Sequence, residues 1–136
     1  MNLRQKKAHM RAAYVYADLS YCVRRKVGCV IVLDNRIISI GYNGTPPGEC
    51  NCCEDPITNQ TISSVIHAED NALRKLPRSM DLTKATAFVT LSPCVPCAGM
   101  IIDRGIRHVV YDTQKRSNVG IELLLNNDVL VEQLTP

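Results

Sequence analysis

Thr86-Ala87-Phe88-Val89-Thr90-Leu91-Ser92-Pro93-Cys94-Val95-Pro96-Cys97-Ala98-Gly99 is the stretch whose reading decides the fold. Its first six residues are an apolar, partly β-branched run and read as a strand. The segment opened by Cys94 and Cys97 reads as a helix ending near Gly105, and Arg107-His108-Val109-Val110-Tyr111 as the next strand. Working outward, residues 3–23 lack Pro and Gly and carry Ala12, Ala13, Tyr14, Ala17, Leu19 and Tyr21, which predicts a helix ending before Val27. Val27–Leu33 and Arg36–Tyr42, joined by Asp34-Asn35, predict a β-hairpin. Neither strand alternates cleanly between polar and apolar residues, so both faces are expected to be covered. Residues 43–63 carry Gly/Pro turn signals and three cysteines and predict a long ordered loop. A helix is expected from about Val65 to Leu76, stopped by Pro77. A weaker helix over Ile121–Asn126 and a strand over Val129–Leu134 complete the chain. The order α-β-β-α-β-α-β-α-β predicts one α/β domain over residues 1–136, a three-layer α/β/α arrangement around a five-stranded mixed sheet.

Composition fits an enzyme-sized domain of 136 residues. No apolar run is long enough to cross a bilayer, and Met1–Lys7 has no apolar stretch after its basic residues, so neither a membrane span nor a secretory leader is expected. Seven cysteines, an odd number, suit metal binding in a reducing, cytoplasmic setting better than disulfides. The net charge of +3 is uneven. Residues 1–26 hold seven Lys/Arg against Asp18 alone, and the rest of the chain is net acidic. Such an end suits an anionic partner, either nucleic acid or the phosphates of a nucleotide, or else a solvated helix face. With five Tyr, one Phe and no Trp, the chain has few stacking platforms for single-stranded nucleic acid. A mononucleotide is the better match, and neither nucleic acid nor membrane is expected as a partner.

His67-Ala68-Glu69, with Cys94 and Cys97 farther on, supplies three metal-ligand side chains and one carboxylate. A catalytic zinc takes three protein ligands and keeps one position open, whereas a structural zinc wants a fourth Cys or His that the downstream segment does not offer. A short Cys-x-x-Cys redox pair beside an unrelated histidine is the other reading. His-x-Glu…Pro-Cys-x-x-Cys is the known signature of zinc-dependent nucleobase deaminases. Cys94 and Cys97 are i and i+3, on one face of a first helical turn, where the helix dipole favours thiolate. His67 and Glu69 reach one site only if His67 stands at a helix entry. Both helix starts then lie at one edge of the sheet, the usual ligand crevice of an α/β fold. Zinc on His67, Cys94 and Cys97 lowers the pKa of water toward neutrality, and Glu69 is assigned as proton shuttle, not as ligand.

The chain resembles the deoxycytidylate (dCMP) deaminases over nearly its whole length. The resemblance rests on Lys26-Val27-Gly28-Cys29-Val30-Ile31, on Gly41-Tyr42-Asn43-Gly44-Thr45-Pro46-Pro47-Gly48, on His67-Ala68-Glu69-Asp70-Asn71-Ala72, and on Leu91-Ser92-Pro93-Cys94-Val95-Pro96-Cys97-Ala98. It implies a cytidine-deaminase-like fold and hydrolysis of dCMP to dUMP and ammonia, supplying dUMP for thymidylate synthesis. It further implies a homo-hexamer activated by dCTP and inhibited by dTTP, each bound with Mg²⁺ between subunits. Asn43, Thr45, Ala68 and Ser92 are the implied substrate contacts; a Gly/Pro turn with a tolerant Asn is the plain reading of that loop. Lys26, Gly44 and Gly48 are the candidates for the effector.

Two departures from the family pattern stand out. Some relatives carry a second, structural zinc on cysteines at the positions of Cys22 and Cys52 plus residues of a longer insertion. Here no histidine lies between residues 50 and 66, so Cys22, Cys50, Cys52 and Cys53 would form a four-sulfur site, or remain buried thiols. Relatives often have an aromatic residue in the region of 112–120, where this chain has Lys115 and Arg116, cations for a 5′-phosphate or part of a solvated turn. Competing readings are a tRNA adenosine deaminase, a free cytidine or deoxycytidine deaminase, and a non-enzymatic zinc-stabilised nucleotide sensor. His9 and His108 have no metal-ligand spacing and are read as ordinary residues.

Overall fold

The computed structural model describes residues 1–136 as four helices and five strands: α1 (Leu3–Ala17), β1 (Gly28–Leu33), β2 (Arg36–Tyr42), α2 (Ala68–Arg74), β3 (Thr86–Leu91), α3 (Val95–Asp103), β4 (His108–Thr113), α4 (Val119–Asn126) and β5 (Leu130–Gln133). The sheet runs β2-β1-β3-β4-β5. β1 is antiparallel to β2 and β3, and β3, β4 and β5 are mutually parallel, so the expected mixed five-stranded sheet is present.

β3 is buried end to end, and β1 up to Leu33, because their alternate side chains enter two different cores. Val30, Val32, Phe88 and Val110 meet Met10 and Ala13 of α1 on one face. Cys29, Ile31, Ala87, Val89 and Val109 meet α2, α3 and α4 on the other. This explains the unbroken apolar run of β1. The expectation of two covered faces fails for β2, which is an edge strand with Arg36 and Ile37 exposed and burial alternating beyond them. The hairpin turn is of the two-residue kind, with Asp34 and Asn35 both at positive φ (53° and 59°), a twist that matches the flanking strands.

α1 starts with a reciprocal cap: Asn2 Oδ1 accepts from the Gln5 N–H and Gln5 Oε1 from the Asn2 N–H. It ends at Ala17, short of the expected residue 23. Long-range contacts take the next segment away from it: Ser20 Oγ donates to the Asn43 carbonyl at 2.7 Å, and Lys26 Nζ to the Ser20 carbonyl at 2.8 Å. α2 is likewise shorter than expected. Ile66 is held extended by a two-way backbone pairing with Gly44, at 3.1 and 2.7 Å, so the helix cannot begin before His67. At the far end of α2, the Arg104 guanidinium donates to the carbonyls of Leu73, Leu76 and Pro77 and satisfies the helix terminus. No helix is long and apolar enough to cross a membrane.

Candidate active site

His67 and Cys94 hold equivalent places in the fold. Each is the N-cap of its helix, in extended conformation (ψ 157° and 171°), and neither side chain caps its own helix. Pro96 in the first turn of α3 suits a place where its missing N–H costs nothing. The two helix starts lie at the same edge of the sheet. His67 Nδ1 is 3.3 Å from Cys97 Sγ and 3.4 Å from Cys94 Sγ. Bonds of about 2.0–2.1 Å to nitrogen and about 2.3 Å to sulfur at tetrahedral angles put such atoms about 3.6 Å apart, so the three donors fit zinc as they stand. The donor atoms that lie within 4.8 Å of one another are those of His67, Cys94 and Cys97, without Glu69.

The electrostatics of the trio fit metal binding. The Cys97 thiol donates toward Cys94, which with the His67 ring holds Cys94 down to about 3. The same hydrogen bond, with burial, pushes Cys97 up, and contact with Cys94 raises His67. Without metal the trio thus keeps protons that a divalent cation would replace. Glu69 is 5% exposed, and burial lifts its carboxyl above the ordinary carboxylate range. A carboxyl moved toward neutrality is suited to take up and return a proton.

Three contacts tie α2 to β2. Ser39 Oγ donates to the Ala72 carbonyl at 2.6 Å, and Asn71 Nδ2 to the Tyr42 carbonyl at 2.7 Å. At Gly41 the strand approaches the helix so closely that a Cβ would stand 2.3 Å from the Ala68 carbonyl oxygen. On the α3 side, Gly120 does the same against the Pro93 carbonyl, 2.0 Å from where its Cβ would be.

A cavity of about 510 Å³ opens beside the trio, with His67, Ala68, Glu69, Asn43, Ser92 and Lys115 among its lining residues. Ser92 is buried; its Oγ accepts the Lys115 N–H and its N–H donates to the Thr113 carbonyl, both at 2.8 Å. The Asn43 amide is mostly committed to the backbone: Oδ1 accepts the Val27 N–H at 2.9 Å and Nδ2 donates to the Arg25 carbonyl at 2.8 Å. One amide hydrogen remains for a ligand. Arg116, read together with Lys115 from the sequence, also lines the cavity. Thr45, Gly44, Gly48 and Lys26 are not among its lining residues. Gly44 pairs with Ile66, and Gly48 takes a left-handed turn at φ 85°.

Arg24, Arg25 and Glu54 also line the cavity, and sequence reading did not place them there. The basic segment was the available signal for the arginines; the spacing of Glu54 carries none. Glu54 turns its carboxylate onto the N–H groups of Val23 and Arg24 at 3.1–3.2 Å, which fixes the arginine backbone. None of Arg24, Arg25, Lys115 and Arg116 is in an ion pair. The expectation of free thiols in the 43–63 loop differs from the structure, where Cys22 is bonded to Cys53 and Cys50 to Cys52. The Glu54 and Ser20 contacts lay residues 20–24 on that loop and bring the Cys22 and Cys53 sulfurs together. The close donor group there is Cys22, Cys53 and Glu54, without Cys50 or Cys52.

The cytidine and deoxycytidylate deaminase zinc-binding region, as a family model, matches residues 3–113. The deoxycytidylate deaminase of Mycobacterium phage D29 is 39% identical over 108 residues, covering 70% of this chain and 84% of that protein. The deoxycytidylate deaminase of Saccharomyces cerevisiae is 35% identical over 135 residues, covering 93% of this chain. The chain spans only 43% of that protein, and 35% of the Schizosaccharomyces pombe deoxycytidylate deaminase. The crystal structure of dCMP deaminase from cyanophage S-TIM5 in complex with dCMP and dUMP superposes with a TM-score of 0.93 at 38% identity, covering 98% of this chain and 99% of that one. The chain belongs to the cytidine and deoxycytidylate deaminase family.

Proposed function

We propose that the chain is a zinc-dependent dCMP deaminase, releasing dUMP and ammonia. The observation that carries this reading is four basic side chains without ion-pair partners, Arg24, Arg25, Lys115 and Arg116, around the cavity that also holds His67 and Glu69. A pyrimidine ring at the zinc trio with a 5′-phosphate among those cations satisfies both halves of the cavity. Charge-assisted contacts to phosphate are the strong kind of hydrogen bond. The likeness to phage enzymes named for dCMP deamination supports the same substrate.

His67, Cys94 and Cys97 would hold the zinc, which, when bound, acidifies water for attack on the ring carbon bearing the amine. Glu69 takes one proton from that water and gives it to the ring nitrogen, then takes the second from the new hydroxyl as it becomes the carbonyl and gives it to the amine, which leaves as ammonia. The Ala68 backbone, Ser92 and the remaining Asn43 amide hydrogen hold the ring and sugar in place, with Thr45 at the edge of the same loop.

Regulation by dCTP and dTTP with Mg²⁺ belongs to the same proposal and rests on the family resemblance. So does assembly as a hexamer, with Lys26, Gly44 and Gly48 at the effector, and a cytoplasmic location. In the reduced chain, Cys22, Cys50, Cys52 and Cys53 would be the four sulfurs of a second zinc, of which Cys22 and Cys53 lie within 4.8 Å of each other; metal analysis giving one zinc per reduced chain contradicts that part. The test of function is ammonia release from dCMP, deoxycytidine and an anticodon stem-loop, with and without dCTP and dTTP. Release from dCMP above the other two supports the reading; release from the stem-loop alone replaces it with tRNA editing.

A further inference from the structure

The turn that carries Lys115 and Arg116 has few contacts of its own, and its position is set from behind. Asp112, the residue before the last of β4, is held by three residues from two separate parts of the chain. The Tyr14 hydroxyl of α1 donates to its Oδ2. Thr135 Oγ1 donates to its Oδ1 at 3.1 Å, and Gln133 Nε2 to its backbone carbonyl at 2.9 Å. The next residue, Thr113, accepts the Ser92 N–H, and Lys115 returns its N–H to Ser92 Oγ. A path therefore runs from α1 by a hydrogen bond to Asp112, along the chain to Thr113, and by two further hydrogen bonds through Ser92 to the backbone of Lys115. Burial and the Asp112 carboxylate raise the Tyr14 phenol, so it stays a donor across the working pH range. Tyr14 itself is not among the residues lining the cavity.

We infer that Tyr14 and Asp112 are positioning residues for the substrate phosphate: the Tyr14–Asp112 clasp fixes the 113–117 turn so that Lys115 and Arg116 face a nucleoside monophosphate. This rests on the dCMP reading of the same cavity. Besides Ser92, the clasp reaches the zinc trio and Glu69 through the Lys115 charge, the smallest of the influences on His67, Glu69 and Cys97. It therefore governs affinity for the phosphate-bearing end of the substrate far more than the chemical step. Removing one hydroxyl frees the turn without opening a cavity, since Tyr→Phe keeps the ring that packs beside the Met10–Val110 core.

The experiment compares Tyr14→Phe with the unaltered full chain, zinc-loaded, on dCMP and on deoxycytidine. The expected result is a KM for dCMP raised about five- to tenfold, the range of one lost hydrogen bond. The kcat for dCMP, the kcat/KM for deoxycytidine and the zinc content stay within twofold. Asp112→Asn, which keeps the shape and one acceptor, should fall between the two. Three outcomes overturn the inference: an unchanged dCMP KM, an equal loss on both substrates, or a loss in kcat alone. If the unaltered chain itself shows no preference for dCMP over deoxycytidine, the monophosphate reading fails and takes the inference with it. A strong preference that Tyr14→Phe does not alter overturns the inference only.

Discussion

Replacing Gly41 by alanine tests how closely the sheet sets the catalytic helix. The added Cβ would stand 2.3 Å from the Ala68 carbonyl oxygen, 2.5 Å from the Ala72 nitrogen and 3.1 Å from the Ala72 Cα. All three are backbone atoms, so no side chain can rotate away. A carbon and a carbonyl oxygen rest about 3.3 Å apart at closest, so β2 and α2 must separate by about 1 Å. Overpacking of this kind costs about 1–3 kcal/mol, which in a domain of this size lowers Tm by roughly 4–10 °C. Ala68 lies between His67 and Glu69, so the displacement falls on the proposed metal ligand and the proposed proton shuttle together. A shift of about 1 Å in a reacting group costs about a hundredfold in rate. The matched control is Gly99→Ala in α3, where a Cβ meets nothing within 4 Å; it should gain about 0.5–1 kcal/mol from helix propensity. The assay is thermal unfolding together with kcat on dCMP for both variants. A Gly41→Ala protein that melts with the unaltered chain and retains kcat within twofold would refute the reasoning.

Other expectations are as specific. Glu69→Gln should keep its zinc, because Glu69 is outside the donor group, yet lose about 10²–10⁴-fold in kcat; loss of metal in this variant would make Glu69 a ligand instead. The Glu132 carboxylate accepts Lys6 Nζ at 2.9 Å and pairs with His108 Nε2 at 2.5 Å, and Lys6, then His108, lowers its pKa. A depressed native pKa gives stability that is present above the unfolded carboxylate value of about 4.3 and lost as pH falls through the native one. The unaltered chain should therefore melt above Glu132→Gln at pH 7, and the gap should close below about pH 4; a gap constant with pH contradicts the assignment. Cys94→Ser should lose zinc affinity while the fold survives, since α3 packs through Ala98 and Ile101 and not through Cys94; metal analysis and Tm read both halves of that statement.

Much of the fold was legible because its determinants are local. The Asp34-Asn35 pair predicts a two-residue hairpin turn by its tolerance of positive φ, and the structure has it. The buried run of β3 followed by Pro93-Cys94 marks a strand-to-helix junction at the sheet edge. The two-residue spacing of His67 and Glu69 required a helix entry at His67, which is where α2 begins. What was not legible depends on contacts between distant residues. Nothing near Ala17 ends α1; Asn43 does so through Ser20, from 23 residues away. The edge position of β2 depends on strand order, and its Arg36 and Ile37 read locally like those of any β-rich run. Glu54 reached the cavity wall unannounced, because its partners are the backbone N–H groups of Val23 and Arg24, which no side-chain motif encodes.

The central claim is that this trio, this carboxyl and this ring of cations deaminate dCMP. Its most direct test is dUMP formation from dCMP by protein stripped of metal by a chelator and then titrated with zinc. The account predicts no dUMP from the stripped protein, a rate that rises with zinc bound at His67, Cys94 and Cys97, and a clear preference over deoxycytidine. Zinc-loaded protein that forms no dUMP, or stripped protein that forms it unaided, would contradict the account.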